Sequence, residues 1–120
     1  MLAAMVQESA ARATFDDLLT VGVEVHDDHR RLVIRGEIDM STAPLIERQL
    51  LRFAADGNRP VVVDLRGVTF MDVTGLRVLL DANARSLAGS NRLTLIPAPT
   101  AVQRIFELTG TLDHLSFVAE

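Results

Sequence analysis

The residues with most chemical content fall in one short stretch, Val68-Thr-Phe-Met-Asp72-Val73-Thr74-Gly75-Leu76. An Asp between an apolar run and a helical pattern, with Thr two positions later, has the spacing of a helix N-cap with a hydroxyl in the first turn. The N–H groups of such a turn have no partner within the helix, so an anion fits beside them. A phosphate on Thr74 would be accommodated by the helix dipole and those amides, adding about −1.5 to −2 charge to the surface while leaving the fold standing. Gly75 has no side chain and lets another chain approach the hydroxyl closely, although Gly inside a helix costs about 0.5 to 1 kcal/mol relative to Ala. The plainer alternative is that Thr74 and Gly75 only shape a strand-to-helix turn.

Other constellations offer less. His26-Asp27-Asp28-His29 contains metal-ligand residue types, but a polar hairpin loop has the same composition. His114 is isolated, with nothing to place it beside a Ser and an Asp. There is neither a G-x-x-x-x-G-K-[ST] phosphate loop nor a nucleophile elbow, so the chain does not read as an enzyme and no cofactor is expected. Cysteine is absent, which removes disulfides, thiolate metal sites and cysteine nucleophiles together. A net charge of −4, with Arg as the only strongly basic residue type, gives little support to a nucleic-acid surface. With no Trp or Tyr and five Phe, stacking platforms for single strands are missing too. The opening Met1 to Ala10 has no basic n-region, and Gln7 and Glu8 cut its apolar part short, so it does not read as a signal peptide. No run approaches the ~20 apolar residues that span a bilayer. Cytoplasmic residence without membrane insertion is the expectation.

The elements that must position the turn follow from periodicity. A chain of 120 residues, 48% of them hydrophobic, supports one domain with its own core. Residues 1–18 are weakly helical and predict a tail or loosely docked helix, with the domain proper over 19–118. Val21, Val23 and Val25 alternate, and after the polar turn Leu32, Ile34, Gly36 and Ile38 do the same, which predicts an antiparallel hairpin. Ser41-Thr-Ala-Pro44 offers N-cap hydroxyls and a Pro in the first turn of a helix that buries Ile46, Leu50, Phe53 and Ala54, exposes Glu47, Arg48 and Arg52, and stops at Gly57. Val61 to Leu65 opens as an unbroken apolar strand, suited to the sheet centre and to cover on both faces. A second helix is capped by Asp72, carries Leu76, Leu79, Leu80, Ala84 and Leu87 at helical spacing, and stops at Gly89. The strand Leu93 to Ile96, a third helix after Pro97 and Pro99 burying Val102, Ile105 and Phe106 and ending at Gly110, and a last strand near Leu115 to Val118 complete the chain. The order ββαβαβαβ predicts an α/β domain: a mixed sheet with an N-terminal antiparallel hairpin, then βαβ crossovers with helices packed on the sheet.

Three segments in order carry a resemblance. VVVDLRGVTFMDVTGLRVLL from Val61 to Leu80, GEIDMSTAP from Gly36 to Pro44, and PAPTAVQRIFELTG from Pro97 to Gly110 are together similar to the STAS-domain anti-sigma factor antagonists, over about residues 19–118. The resemblance implies that Thr74 is the phosphorylation site, since the second hydroxyl residue of the family's Asp-Ser-Ser-Gly-type turn holds that role. Val73 stands where Ser is usual and Thr74 where many members have Ser, which leaves one hydroxyl in the turn. It also implies that Asp39 is the family acid that lies near this turn and helps to form the partner surface, and Ser41, Asp72, Val73, Gly75, Leu76 and Arg77 are the other candidate residues of that surface. The same residues have structural readings: Asp39 as a helix-entry residue, Asp72 as a cap, Leu76 as core, Arg77 as a solvated cation.

In that family the unphosphorylated antagonist binds an anti-sigma factor with a histidine-kinase-like ATPase domain and so frees a sigma factor. The same partner phosphorylates the turn, and a PP2C-type phosphatase resets it. The rival reading is a STAS scaffold or accessory subunit of a stress-signalling or lipid-transport complex, working without phosphorylation. A small nucleotide-binding sensor would need a phosphate loop, which is missing here.

Overall fold

The computed structural model describes the backbone of 7–15, and residues 18–55, 57, 59–89 and 91–119. In order it contains β1 (Gln7–Phe15), β2 (Leu19–Val25), β3 (Arg30–Ile38), α1 (Ala43–Ala55), β4 (Val61–Met71), α2 (Val73–Ala88), β5 (Leu93–Ile96), α3 (Thr100–Leu108) and a 3-10 turn (Leu112–His114). The five strands form one sheet in sequence order, antiparallel from β1 to β3 and parallel from β3 to β5. The mixed α/β architecture expected from the pattern is therefore present, with one addition at its edge. Part of the segment 1–18 lies outside the described residues, but Gln7–Phe15 is strand rather than tail or helix and pairs with β2. At the other end, the expected strand near Leu115 to Val118 is reduced to a single parallel bridge, Leu95 to Phe117. Its two bonds run from the Leu95 N–H to the Ser116 carbonyl (2.9 Å) and from the Val118 N–H to the Leu95 carbonyl (2.8 Å), and β5, four residues long, offers little more to pair with.

The sheet buries one face because its apolar alternation is kept in register. Val21 pairs with Ile34 and Val23 with Leu32, all four buried, and Val63, Leu65 and Leu95 continue the layer across the parallel strands. α1 adds Ile46, Leu50 and Phe53, while Ala54 is exposed, against expectation. α2 turns Leu76, Val78, Leu79, Ala82 and Asn83 inward. Ala84 and Leu87 fall outside that stripe: Ala84 is exposed and Leu87 is 79% exposed. Phe106 of α3 is fully buried and meets Phe117 edge to face at 5.1 Å.

β4 lies between β3 and β5, inside the sheet as expected, although β1 makes β3 the middle strand. Its second face is not dry: Val62 is half-buried, and Asp64 is held among arginines. Arg66 donates through Nε (3.0 Å) and its backbone N–H (3.0 Å) to Asp64 Oδ1 and through Nη2 (2.7 Å) to Oδ2, and Arg31 Nη1 stands 3.9 Å away. Burial pushes the Asp64 carboxyl up, but these hydrogen bonds and charges outweigh it and hold the group below its ordinary range.

The end of β3 is steered by Gly36. Its φ is +106°, and a Cβ there would lie 1.9 Å from the Leu18 carbonyl oxygen, which accepts the Glu37 N–H at 2.7 Å. The register shift between Gly36 and Glu37 sits at the same place and aims Ile38 at Met71 of β4.

Gly36→Ala is expected to lower stability by about 2 kcal/mol in urea denaturation, through the left-handed φ and the clash with Leu18. Gly22→Ala, whose added Cβ would meet nothing within 4 Å, should stay within about 0.5 kcal/mol of wild type; equal losses would contradict the close approach at Leu18. Asp64→Asn should cost about 1 to 3 kcal/mol at pH 7. Because the folded-state pKa of Asp64 is depressed, its carboxylate stabilises the fold above the unfolded-state value, and that contribution is lost as pH falls through the folded value. The gap between variant and wild type should therefore close in acid, and a gap independent of pH would show that charge is not what Asp64 supplies.

Candidate functional site

The two parallel strands β3 and β4 end side by side, and each runs into a helix through a turn that a carboxylate organises. On β3, Asp39 Oδ1 accepts the N–H groups of Ser41 (2.9 Å) and Thr42 (3.1 Å), and its backbone carbonyl accepts those of Thr42 (3.2 Å) and Ala43 (2.8 Å). Thr42 is fully buried, and its hydroxyl turns back to the strand rather than forward into the helix. It donates to the Glu37 carbonyl and accepts the Asp39 N–H, both at 2.9 Å. Asp39 is thus a helix-entry residue, as one of its two readings held.

On β4, Asp72 is the N-cap of α2. Its extended backbone lets Oδ1 accept the N–H groups of Thr74 (2.9 Å) and Gly75 (3.2 Å), while its carbonyl accepts that of Leu76 at 3.1 Å. The Asp72 N–H donates to the Ile38 carbonyl at 3.1 Å, so the cap is tied to the residue before Asp39. This changes the electrostatics expected from the sequence. The amides of Thr74 and Gly75 are already occupied by a carboxylate, so they are not open to a phosphate.

Gly75 is buried, and its role differs from the expected one. A Cβ there would lie 2.6 Å from Ile38 Cγ2 and 2.8 Å from Met71 Cγ, so the missing side chain lets α2 start flush against the ends of β3 and β4. It does not open a path to the hydroxyl. Leu76 is likewise core, at 6% exposure. These two expected surface residues therefore hold the turn from below and present no side chain to a partner.

The remaining residues lie in the turns that follow β3 and β4 and in the first turns of α2. Thr74 is half-exposed, and its hydroxyl makes no hydrogen bond among the described residues, in contrast to that of Thr42. Ser41, Val73 and Arg77 are exposed, Asp39 and Asp72 half-exposed. Val73 and Arg77, four apart on α2, share a helix face. Two apolar neighbours escaped the sequence reading. Met40, next to Asp39, is 75% exposed, and Phe70, paired with Glu37 near the end of β4, is 49% exposed; with Val73 at 68% they give this end an apolar component. Alternation marks which residues a strand can bury, but it does not reveal that the sheet end beside them stays open.

The other candidates stay apart. His26 and His29 stack with ring centroids 4.4 Å apart and planes 3° from parallel, His26 Nε2 lying 3.1 Å from Glu24 and His29 Nδ1 2.8 Å from Asp28. The hydrogen bond with His29 holds the exposed Asp28 carboxyl below its usual range. No group of three or more potential metal ligands exists among the described residues. His114 is exposed and uses its backbone carbonyl, which accepts from Asn83 Nδ2 at 2.8 Å. Among the described residues no helix is long and apolar enough to cross a membrane.

Comparison with known proteins adds identity to this geometry. A protein of Staphylococcus epidermidis named anti-sigma-B factor antagonist is 28% identical over 95 residues, 79% of this chain and 88% of that protein. The crystal structure of an anti-sigma factor antagonist from Mycobacterium paratuberculosis matches with a TM-score of 0.77 at 29% identity, covering 90% of this chain and 92% of that one. The anti-sigma factor antagonist SpoIIAA in its unphosphorylated form matches with a TM-score of 0.67, covering 83% and 89%, and at 20% identity that likeness is one of fold. The family model described as "Mlab, STAS domain" matches residues 21–118, most of the chain, and the chain therefore belongs to the STAS domain family.

Proposed function

We propose that the chain is an anti-sigma factor antagonist, a binding protein and not a catalyst. It docks an anti-sigma factor on the surface of Asp39, Met40, Ser41, Val73, Thr74 and Arg77 and is released when Thr74 is phosphorylated. The observation that carries this reading is the Thr74 hydroxyl, uncommitted at a helix start and flanked by exposed apolar side chains. Relatives named as anti-sigma factor antagonists support the class of partner. A histidine-kinase-like ATPase domain on that partner would transfer the phosphoryl group from ATP to Thr74 Oγ1, with ADP leaving. A PP2C-type phosphatase would return the hydroxyl by hydrolysis. The cytoplasm is the compartment that supplies both.

The occupied amides explain why the phosphate would act outward. Asp72 holds the N–H groups that would otherwise absorb an anion, so a dianion on Thr74 stays beside two carboxylates at the docking surface. Docking would then require its desolvation, at a cost of several kcal/mol if it stayed unpaired. A second reading that membership of the STAS family leaves open is an accessory STAS subunit of a stress-signalling or lipid-transport complex, with no phosphorylation step.

A pull-down with wild type and Thr74→Ala, followed by intact-mass analysis after ATP, separates the two. The expected result is an anti-sigma kinase bound to both, with an adduct of about 80 Da, one HPO3 group, on wild type alone. Phosphate on another residue, with Thr74 unmodified, would sink the assignment. Thr74→Ala should bind yet resist release by ATP, and Thr74→Glu, with about one charge instead of nearly two, should weaken the complex less than phosphate does. Were ATP to release all three forms equally, the accessory reading would stand instead. Asp39→Asn keeps the acceptor oxygen of its turn, so stability should change by less than about 1 kcal/mol while affinity for the partner falls further. A lowered denaturation midpoint with unchanged affinity would confine Asp39 to helix entry.

A further inference from the structure

A cleft lies at the end of the domain opposite Thr74, where α1 and α2 finish and β4 and β5 begin. It has a volume of about 40 Å3 and an apolar wall of Leu50, Val61, Ala82 and Leu93. Arg85 and Arg92 also line it, and no acidic residue is among its described lining residues. Arg85 belongs to the last turn of α2, about 16 Å along the helix from Thr74. Its Nη2 is buried and makes no hydrogen bond among the described residues. A buried charged donor without an acceptor is costly, and most such groups in folded proteins have a partner.

The cleft is held in shape independently of that arginine. Ser86 Oγ donates to the Asn91 carbonyl at 2.5 Å, Asn91 Nδ2 donates to the Gly57 carbonyl at 3.0 Å, and the Val61 N–H donates to the Arg92 carbonyl at 2.8 Å. A larger depression of about 280 Å3 continues from it, sharing Asn91, Arg92 and Leu93 and reaching Leu87 and Ser116. The inner cleft admits a carboxylate group, and the depression it opens into leaves room for a short aliphatic body.

We propose that this cleft binds a small organic monoanion, a carboxylate with a short aliphatic body, with its oxygens on Arg85 and Arg92 and its body on the apolar wall. Arg85 supplies a planar pair of donors and a charge that no described neighbour cancels, which suits a carboxylate. The apolar wall selects against a compact, strongly hydrated anion. The site is separate from the docking surface and does not depend on the function proposed for it.

The test titrates the full chain with acetate, propionate, butyrate and inorganic phosphate at constant ionic strength, followed by amide and Arg Nε chemical shifts. Saturable shifts are expected at Arg85, Asn91, Arg92 and Leu93, with affinity rising about threefold to fourfold per added methylene until the cleft is filled. Phosphate should bind at least about tenfold more weakly than butyrate. Arg85→Met should weaken butyrate by at least about tenfold and Arg92→Gln by less, while Arg104→Gln, on the exposed side of α3, should leave it unchanged. Should Arg85→Met fail to fold, the chain-length series on wild type decides alone. Shifts that do not saturate, affinity independent of chain length, phosphate binding as tight as butyrate, or a folded Arg85→Met that binds like wild type would each overturn the proposal.

Discussion

The Asp72 N–H donates to the carbonyl of Ile38, and the geometry of the functional end depends on that bond. It joins the last residue of β3 to the residue that caps α2, so neither turn can move without the other. Asp72 then uses its side chain for the next two amides of the helix and its carbonyl for the first helical bond. One residue therefore closes a strand pair, starts a helix and holds the Thr74 amide. Asp39 repeats the arrangement one strand away, its Oδ1 accepting the N–H groups of Ser41 and Thr42.

Close packing beneath the turns makes this end rigid. Gly75 lets α2 sit against Ile38 and Met71, and Gly36 lets β3 pass the Leu18 carbonyl before reaching Ile38. The buried Thr42 hydroxyl ties the loop after β3 back to the strand. With the backbone fixed by these contacts, a charge added at Thr74 has little freedom to be absorbed by rearrangement. Under the proposed function, its effect would pass to the partner docked on Met40, Val73 and Arg77. Regulation of the proposed kind would change the surface and leave the sheet alone.

Much of this was legible in the sequence because local chemistry decided it. The Asp72 cap, the stop at Gly89 and the strand alternation of Val21, Val23, Leu32 and Ile34 each follow from a rule that involves only near neighbours. What depended on tertiary contact was not. Gln7–Phe15 has no clear alternation and is strand because β2 offers a free edge to pair with. Gly75 looked like an opening because its distance to Ile38, thirty-seven positions earlier, is a matter of how β3 and β4 pair. The same applies to the open faces of Met40 and Phe70, and to Leu87, whose helical spacing matches the core stripe while its side chain stays exposed. Arg85 is the extreme case, an ordinary last-turn cation in sequence whose Nη2 is buried in the fold with no hydrogen-bond partner among the described residues.

The most direct measurement is a pair of numbers on one sample, the urea midpoint and the dissociation constant for the anti-sigma partner, taken with Thr74 unmodified and with Thr74 phosphorylated. If the capped turns hold the phosphate outside the fold, stability should change by less than about 1 kcal/mol and affinity should fall at least about tenfold, equivalent to about 1.4 kcal/mol or more. A cooperative loss of stability on phosphorylation, or unaltered affinity at full modification, would contradict a switch that works by surface charge alone.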